Sequence, residues 1–171
     1  MGLVQVATNT VTSAVASVTL TGIDSDDVYM VTVDNWKTDT NNRRCLARVT
    51  ESGTANSTAN YDYAGKFLYS SSSFFNRNGT NANQFEFEFI GTADSQAQSN
   101  IILYLYNFNS TTEYAFITNE MTNLDYNGAN IGQQGGGVFT VTGTARNGIE
   151  FFMASSANIT SGTFTLYRVV A

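Results

Sequence analysis

Apolar and polar residues alternate through much of this chain, in short runs separated by clusters of Gly, Asn, Asp and Ser. The clearest run is Phe85-Glu86-Phe87-Glu88-Phe89. A period of two is typical of a β-strand with one face on the core and the other in water. We therefore expect the three Phe side chains to anchor the core and the two Glu side chains to be solvated. No window shows a convincing period of 3.6, so no helix is predicted.

Short strands separated by turn signals continue along the whole sequence. This pattern predicts one all-β domain, residues 1–171, built as an antiparallel two-sheet sandwich of about eight to ten strands with jelly-roll topology. The polar stretches at 50–60, 70–83 and 122–137 are predicted to be loops. The predicted strands are residues 14–21, 28–36, 43–50, 61–69, 84–92, 101–108, 113–121, 137–144 and a closing hairpin of 149–154 with 162–170.

One predicted strand, residues 101–106, is apolar on both faces. An outward apolar face usually has a second layer over it. That layer could be a long loop, another copy of the chain or a lattice surface, and we favour the two intermolecular alternatives. The inward set is Ile101, Leu103 and Leu105, and the outward set, predicted to make subunit or lattice contacts, is Ile102, Tyr104 and Tyr106.

The overall charge excludes some classes of partner. The 171 residues are 13% charged and carry a formal net charge of -6, whereas nucleic-acid binding requires clustered Lys and Arg. The closest basic cluster is Arg43, Arg44 and Arg48, which is too short to reverse this and would serve equally in intersubunit salt bridges. No apolar stretch is long enough to span a membrane, and the N-terminus lacks the pattern of a secretion signal.

Missing residue types narrow the chemistry further. The chain has no His and a single Cys, which excludes a His-dependent triad, a His-ligated metal and a disulfide within the chain. Cys45 is interpreted as a small apolar residue on an inward strand face. We predict no catalytic residues and no cofactor.

Two clusters of carboxylates are candidates for a catalytic site or a metal site. Glu86 and Glu88 project from one strand face about 6.6 Å apart, within reach of a glycosidase acid/base pair, but a solvated strand face explains them better. Asp24, Asp26 and Asp27 could bind Ca²⁺ at a sandwich rim. The EF-hand pattern fails there, and Asp is an ordinary turn residue, so we favour a turn over a metal site.

Five aromatic residues could form a platform on which sugar rings stack. They are Trp36, Tyr61, Tyr63, Tyr104 and Tyr106. Packing between strands or contacts between subunits explains such residues more often. A surface glycan is therefore a second candidate partner.

The C-terminal segment carries a resemblance to a known family. Asn147-Gly148 is a turn dipeptide, followed by Ile-Glu-Phe, and the last strand places Phe164 and Leu166 on its predicted core side. This N-G-I-x-F strand with a final S-G-T-x-x-L-Y strand resembles the C-terminus of virion structural proteins of marine tailed phages, cyanophages especially. In those proteins the two strands form a hairpin that closes a jelly roll. This chain has Arg168 where they typically have Gly.

The resemblance implies a non-enzymatic bacteriophage structural protein, found in the virion and assembled in the host cytoplasm. Small size and the lack of a fibrous shaft favour a capsid-decorating, cement-type subunit on the particle exterior. Its partners would be itself, as a homotrimer, and other virion proteins such as the major capsid protein. The alternative is a glycan-binding receptor module at the tip of a tail or head fibre. A jelly-roll glycosidase that uses Glu86 or Glu88 is the least favoured hypothesis.

Overall fold

The computed structural model describes residues 2–71, 74–90, 98–125 and 127–170, except for the side chains of 89 and 90. These residues form an all-β fold of thirteen strands and one 3₁₀ turn, Ala154–Ser156. The strands are β1 Gly2–Val11, β2 Ser17–Thr21, β3 Tyr29–Thr38, β4 Arg43–Glu51, β5 Thr54–Ala55, β6 Tyr61–Tyr69, β7 Phe74–Ala82, β8 Phe85–Ile90, β9 Ser99–Tyr106, β10 Ala115–Leu124, β11 Asn130–Phe139, β12 Gly148–Met153 and β13 Ile159–Val170.

The strands build two antiparallel sheets that pack as a sandwich, which confirms the predicted fold class. The larger sheet has eight strands in the order β1-β13-β3-β9-β10-β11-β6-β7. The smaller sheet has five, in the order β2-β12-β4-β5, with β8 also paired to β4. The first four strands alternate between the two sheets. The jelly-roll topology stays a prediction. The predicted number of strands, eight to ten, is lower than the thirteen found in the described part of the chain.

The extra strands come from segments whose composition is untypical of strands. Residues 70–83 contain β7 and residues 122–137 contain most of β11, although both were predicted to be loops. The strand predicted at 137–144 ends at Phe139. β1 was missed altogether. Asn and Gly account for much of β7 and β11, and pairing with neighbouring strands overrides their weak propensities. β1 is different, because its three Val and two Thr residues are typical of a strand.

The closing hairpin is also a wrong prediction. β12 pairs with β2 and β4 in the smaller sheet, whereas β13 pairs with β1 and β3 in the larger one. The 3₁₀ turn and the residues after it carry the chain from one sheet to the other. Gly148 lies inside the smaller sheet, where an added Cβ would fall 2.1 Å from the carbonyl oxygen of Leu20. The close approach of the Leu20 backbone therefore explains why residue 148 is a glycine, and a hairpin turn does not.

Aromatic rings dominate the core between the sheets. Trp36 packs edge-on against Phe164, with ring centroids 5.3 Å apart, and against Phe151 at 5.8 Å. A second cluster joins Tyr61 to Phe85, with centroids 4.9 Å apart. Phe85, Phe87, Phe164 and Leu166 are all buried. Phe89, the remaining predicted anchor, has its side chain outside the described part of the structure.

Replacing Phe164 with Ala should lower the free energy of unfolding by about 3–5 kcal/mol, because the lost ring leaves a cavity beside Trp36 and Phe151. Urea denaturation followed by tryptophan fluorescence measures this. The matched control is Phe116→Ala on the outer surface, which should change stability by no more than about 0.5 kcal/mol. Equal effects of the two substitutions would contradict the assigned core.

Candidate functional site

The face of the eight-stranded sheet that points away from the smaller sheet, here called the outer face, carries the most distinctive surface of the molecule. Its side chains form rows that cross the strands, because the antiparallel partners are in register from β9 through β10 and β11 to β6. The polar row is Ile102, Glu120, Gln134 and Lys66; the middle row is Tyr104, Thr118, Gly136 and Ala64; and the apolar row is Tyr106, Phe116, Val138 and Asp62.

The middle row is a depression because its central side chains are small. Thr118, Gly136 and Ala64 form its floor, and Asn78 of β7 continues the row beyond Ala64. We call this depression the trough. The volume at its β9 end is about 370 Å³, next to Tyr104 and Gln134. At its β6 end the volume is about 520 Å³, and both ends share Thr118. The trough therefore runs across the strands rather than along them.

The two walls of the trough differ in chemistry. On one side, the amide nitrogen of Gln134 donates to the carboxylate of Glu120 at 3.1 Å. On the other side, Phe116 is 44% exposed and lies next to Val138. The ring of Tyr104, 40% exposed, closes the β9 end. One wall thus offers hydrogen-bonding groups, and the other is apolar along Phe116 and Val138 and ends at the carboxylate of Asp62 on β6.

The glycine run of β11 is needed for close packing. A Cβ on Gly135 would lie 2.6 Å from the carbonyl oxygen of Ala64, and one on Gly136 would lie 2.9 Å from that of Ile117. On Gly137 it would lie 2.7 Å from the ring of Phe85. Such distances are too short for any side chain, and residues 135–137 belong to a closely packed strand, so the loop predicted for them is wrong.

A second exposed apolar cluster lies at the β7 edge of the same sheet. It consists of three residues, Leu68, Phe74 and Phe75, which we call the edge cluster. Leu68 and Phe74 lie opposite each other on the outer face, whereas Phe75 lies opposite the buried Phe67 and points to the inner face, so the cluster occupies both faces at the sheet edge. Phe74 is 65% exposed and Phe75 is 53% exposed. Phe75 packs edge-on against Tyr69, with ring centroids 5.2 Å apart. Within the described ranges β7 pairs with β6 alone, so its other edge is not part of any ladder.

Charged side chains join the sheets at the β7 end of the sandwich. Glu86 forms an ion pair with Arg44 of its own sheet at 2.8 Å and approaches Arg77 of β7 at 4.0 Å. The phenol of Tyr63 donates to Glu86. Burial, followed by the charge and the hydrogen bond of Glu86, raises the pKa of Tyr63 to about 12. These contacts anchor β8 between the layers.

The prediction that the two Glu side chains of β8 are solvated is therefore wrong. Glu88 is only 1% exposed, and its backbone N–H donates to the amide oxygen of Gln133 at 2.9 Å. Glu86 is half-buried within its ion pairs. The proposed acid/base pair is thus one buried carboxylate and one carboxylate already bound to arginine. The Cys45 thiol lies in the core nearby, and burial together with the charge of Glu88 raises its pKa.

The structure divides the five residues of the predicted aromatic platform. Trp36 and Tyr61 are fully buried, so neither can bind a ligand from the surface. Burial raises the pKa of Tyr61, and its hydroxyl donates to the carbonyl oxygen of Asn56. Tyr63 belongs to the Glu86 cluster. Only Tyr104 and Tyr106 remain on the outer face, with Ile102 beside them; their role as subunit or lattice contacts stays a prediction.

The acidic turn before β3 is held by its own hydrogen bonds. The hydroxyl of Tyr29 donates to Asp24 at 3.1 Å, and the hydroxyl of Ser25 donates to Asp27 at 2.8 Å. Asp26 lies in the same exposed turn. Among the described residues, no group of three or more His, Cys, Asp or Glu side chains is placed to hold a metal ion.

The basic cluster on β4 has partners within the chain. Arg44 pairs with Glu86, and Arg48 stacks over the ring of Phe152, 4.5 Å from its centroid. Arg43 donates to the backbone carbonyl of Asn42 at 3.1 Å. Their predicted role in salt bridges between subunits stays a prediction.

The residues missed in the sequence are mainly Phe74, Phe75 and Phe116. Phe74 and Phe75 lie in a segment that was predicted to be a loop, so neither was assigned to a strand. Phe116 could have been found, because Ile117, Asn119 and Met121 alternate inward and leave Phe116 on the opposite face.

Comparison with known proteins does not identify a family. Neither the models of protein families nor the curated protein sequences match this chain. Across the described ranges, no helix has the length and apolarity needed to cross a membrane.

Tyr63→Phe should reduce the loss of stability in alkali. The folded pKa of about 12 lies above the ordinary value of 10.0, so the neutral phenol stabilises the fold fully below pH 10. This contribution is lost as the pH rises toward about 12. Urea unfolding over that pH range measures the difference between the variant and the natural chain.

Glu86→Gln provides the matched variant, because it removes the negative charge that disfavours tyrosinate. The phenol titration should then move to lower pH. Superimposable alkaline stability profiles for Tyr63→Phe and the natural chain would contradict the assigned interaction.

Proposed function

We propose that this protein is a non-enzymatic structural subunit of a tailed-phage virion, fixed on the particle exterior as a homotrimer that decorates the capsid. The sequence of the C-terminal strands supports the phage assignment through its resemblance to marine phage virion proteins, but the two strands lie in different sheets and do not form the hairpin that the resemblance implies. The β-sandwich is compatible with that resemblance. The structural observation that carries the proposal is the edge cluster.

The edge cluster is unusual for a monomeric surface. Natural sheets protect their edge strands with Lys, Pro, bulges or a covering segment. This chain contains no Pro, and the one charged residue of β7, Arg77, is directed to Glu86 and the ring of Phe67. Phe74 and Phe75 are the most exposed Phe side chains of the described structure. Burial against a neighbouring subunit would remove both from water.

The surface composition supports the same proposal. Only 13% of the residues are charged, compared with about 25% in average globular proteins. Interfaces are enriched in aromatic residues and depleted of charge at their centres. Many modest contacts of this type, repeated at symmetry axes of a particle, bind by multivalency.

The double substitution Phe74→Asp and Phe75→Asp should convert the trimer to a monomer, because burying two carboxylates at the contact is strongly unfavourable. Sedimentation velocity of the purified chain measures the change. The control is Phe116→Asp, an exposed Phe away from the edge, which should remain trimeric. A monomeric natural chain, or dissociation by Phe116→Asp alone, would contradict assembly through the edge cluster.

Imaging of the intact phage particle tests the location. We expect density for the sandwich on the outside of the capsid at local symmetry axes, in contact with the major capsid protein. The protein should also be detected by mass spectrometry of purified virions. Its absence from virions, or turnover of a substrate by the purified chain, would contradict the proposed function.

A further inference from the structure

We propose that the trough is a binding site for a neutral glycan, several hexose rings long, lying across strands β9, β10, β11, β6 and β7. This site is separate from the edge cluster and does not depend on the proposed virion role. It takes Tyr104 as a ligand contact, in place of the subunit or lattice contact predicted for that residue from the sequence. The proposal rests on the shape of the trough, on its two different walls and on its charge.

The shape suits an extended chain of rings. The floor runs from Tyr104 through Thr118, Gly136 and Ala64 to Asn78, which spans four strand spacings. At roughly 4.8 Å per spacing the trough is about 19 Å long. It is open to solvent along its length, so internal parts of a polysaccharide can enter as well as its end.

The polar wall offers acceptors for sugar hydroxyls. The hydrogen bond between Gln134 and Glu120 uses the amide nitrogen and one carboxylate oxygen. The second carboxylate oxygen and the amide oxygen are left as acceptors on exposed side chains. Hydrogen bonds to a carboxylate are stronger than those between neutral groups. Neighbouring hydroxyls of one hexose can donate to both groups.

The opposite wall suits the apolar faces of the same rings. Phe116 and Val138 present carbon surface along the trough, and Tyr104 presents a ring at its β9 end. A hexose has hydroxyls around its edge and C–H groups on its faces, so it matches a groove with one polar and one apolar wall. Apolar surroundings with a few placed polar groups are typical of small-molecule sites.

The negative charge of the trough disfavours an anionic ligand. Glu120 and Asp62 line the trough, and Asp34 lies with Glu120 in the adjoining depression of about 350 Å³. Lys66, the cation of the polar row, is directed to the ring of Phe74, 5.4 Å from its centroid. The net charge of -6 adds to the repulsion of sulfated or uronic-acid glycans.

A peptide suits this surface less well. Peptides that bind sheets usually add a strand at an open edge, where unpaired backbone groups are available. The trough lies in the middle of the sheet, and the backbone groups of β10 and β11 are paired on both sides. Recognition there must use side chains, as it does for the hydroxyls of a sugar.

The test is titration calorimetry of the full chain with three panels: neutral hexose tetrasaccharides, uronic-acid tetrasaccharides and basic peptides. At least one neutral tetrasaccharide should bind. Tyr104→Ala and Ala64→Phe should each weaken this binding at least tenfold, the first by removing the ring and the second by filling the floor. The matched control is Tyr114→Ala, an exposed aromatic outside the trough, which should stay within twofold.

The outcomes separate clearly. Failure of every neutral tetrasaccharide to bind at millimolar concentration overturns the proposal, as does preference for the uronic-acid or peptide panel. Binding that Tyr104→Ala and Ala64→Phe leave unchanged also overturns it. Circular dichroism shows whether each variant is folded, and Glu120→Gln gives an independent test through the polar wall. The binding measurements are independent of the oligomeric state, so the proposed function and the glycan site can each fail without the other.

Discussion

The register of the eight-stranded sheet decides what this molecule presents to its surroundings. In an antiparallel ladder, a slip by one residue moves every side chain to the opposite face. Here the inward set of β10, Ala115, Ile117 and Met121, is buried, and this fixes Phe116 and Glu120 on the outside. The same register places the small residues of three strands in one row. The trough is therefore a consequence of how the core is filled.

The two exposed features lie on the part of the larger sheet formed by β9, β10, β11, β6 and β7. On its inner side this part packs against β8, which is joined to it by polar contacts: Glu86 with Arg77, and Glu88 with Gln133. Both contacts connect the smaller sheet to the larger one. β7 itself is held at the sheet by its ladder with β6, which leaves Phe74 and Phe75 exposed at the edge.

The sequence predicted the fold class and most of the central strands, because β3, β4, β6, β8 and β9 are short runs with several apolar residues, separated from each other by turn signals. It failed where a strand depends on its neighbours. The glycines of β11 form part of a strand only because they pack tightly between β10 and β6. The Asn-rich β7 pairs at one edge of the sheet although its local propensity for a strand is weak. β1, at the other edge, has the Val and Thr content of an ordinary strand and was missed for no reason of composition.

The site was predictable in part for the same reason. The outward position of Tyr104 follows from alternation within a single strand. The trough required the pairing of Thr118, Gly136 and Ala64, which come from three strands and cannot be aligned without the register. The closing hairpin was predicted wrongly for a similar reason. Two strands that are adjacent in sequence can pair with each other or lie in opposite sheets, and only the tertiary structure distinguishes these arrangements.

The proposed assembly buries the β7 edge against a neighbouring subunit. Hydrogen exchange of the β7 backbone amides should therefore differ between the concentrated assembled protein and a dilute monomer. Those amides of residues 74–82 that do not donate to β6 should become strongly protected on assembly, while those of the opposite edge strand β1 should not. Equal exchange of the β7 amides in both samples would contradict it.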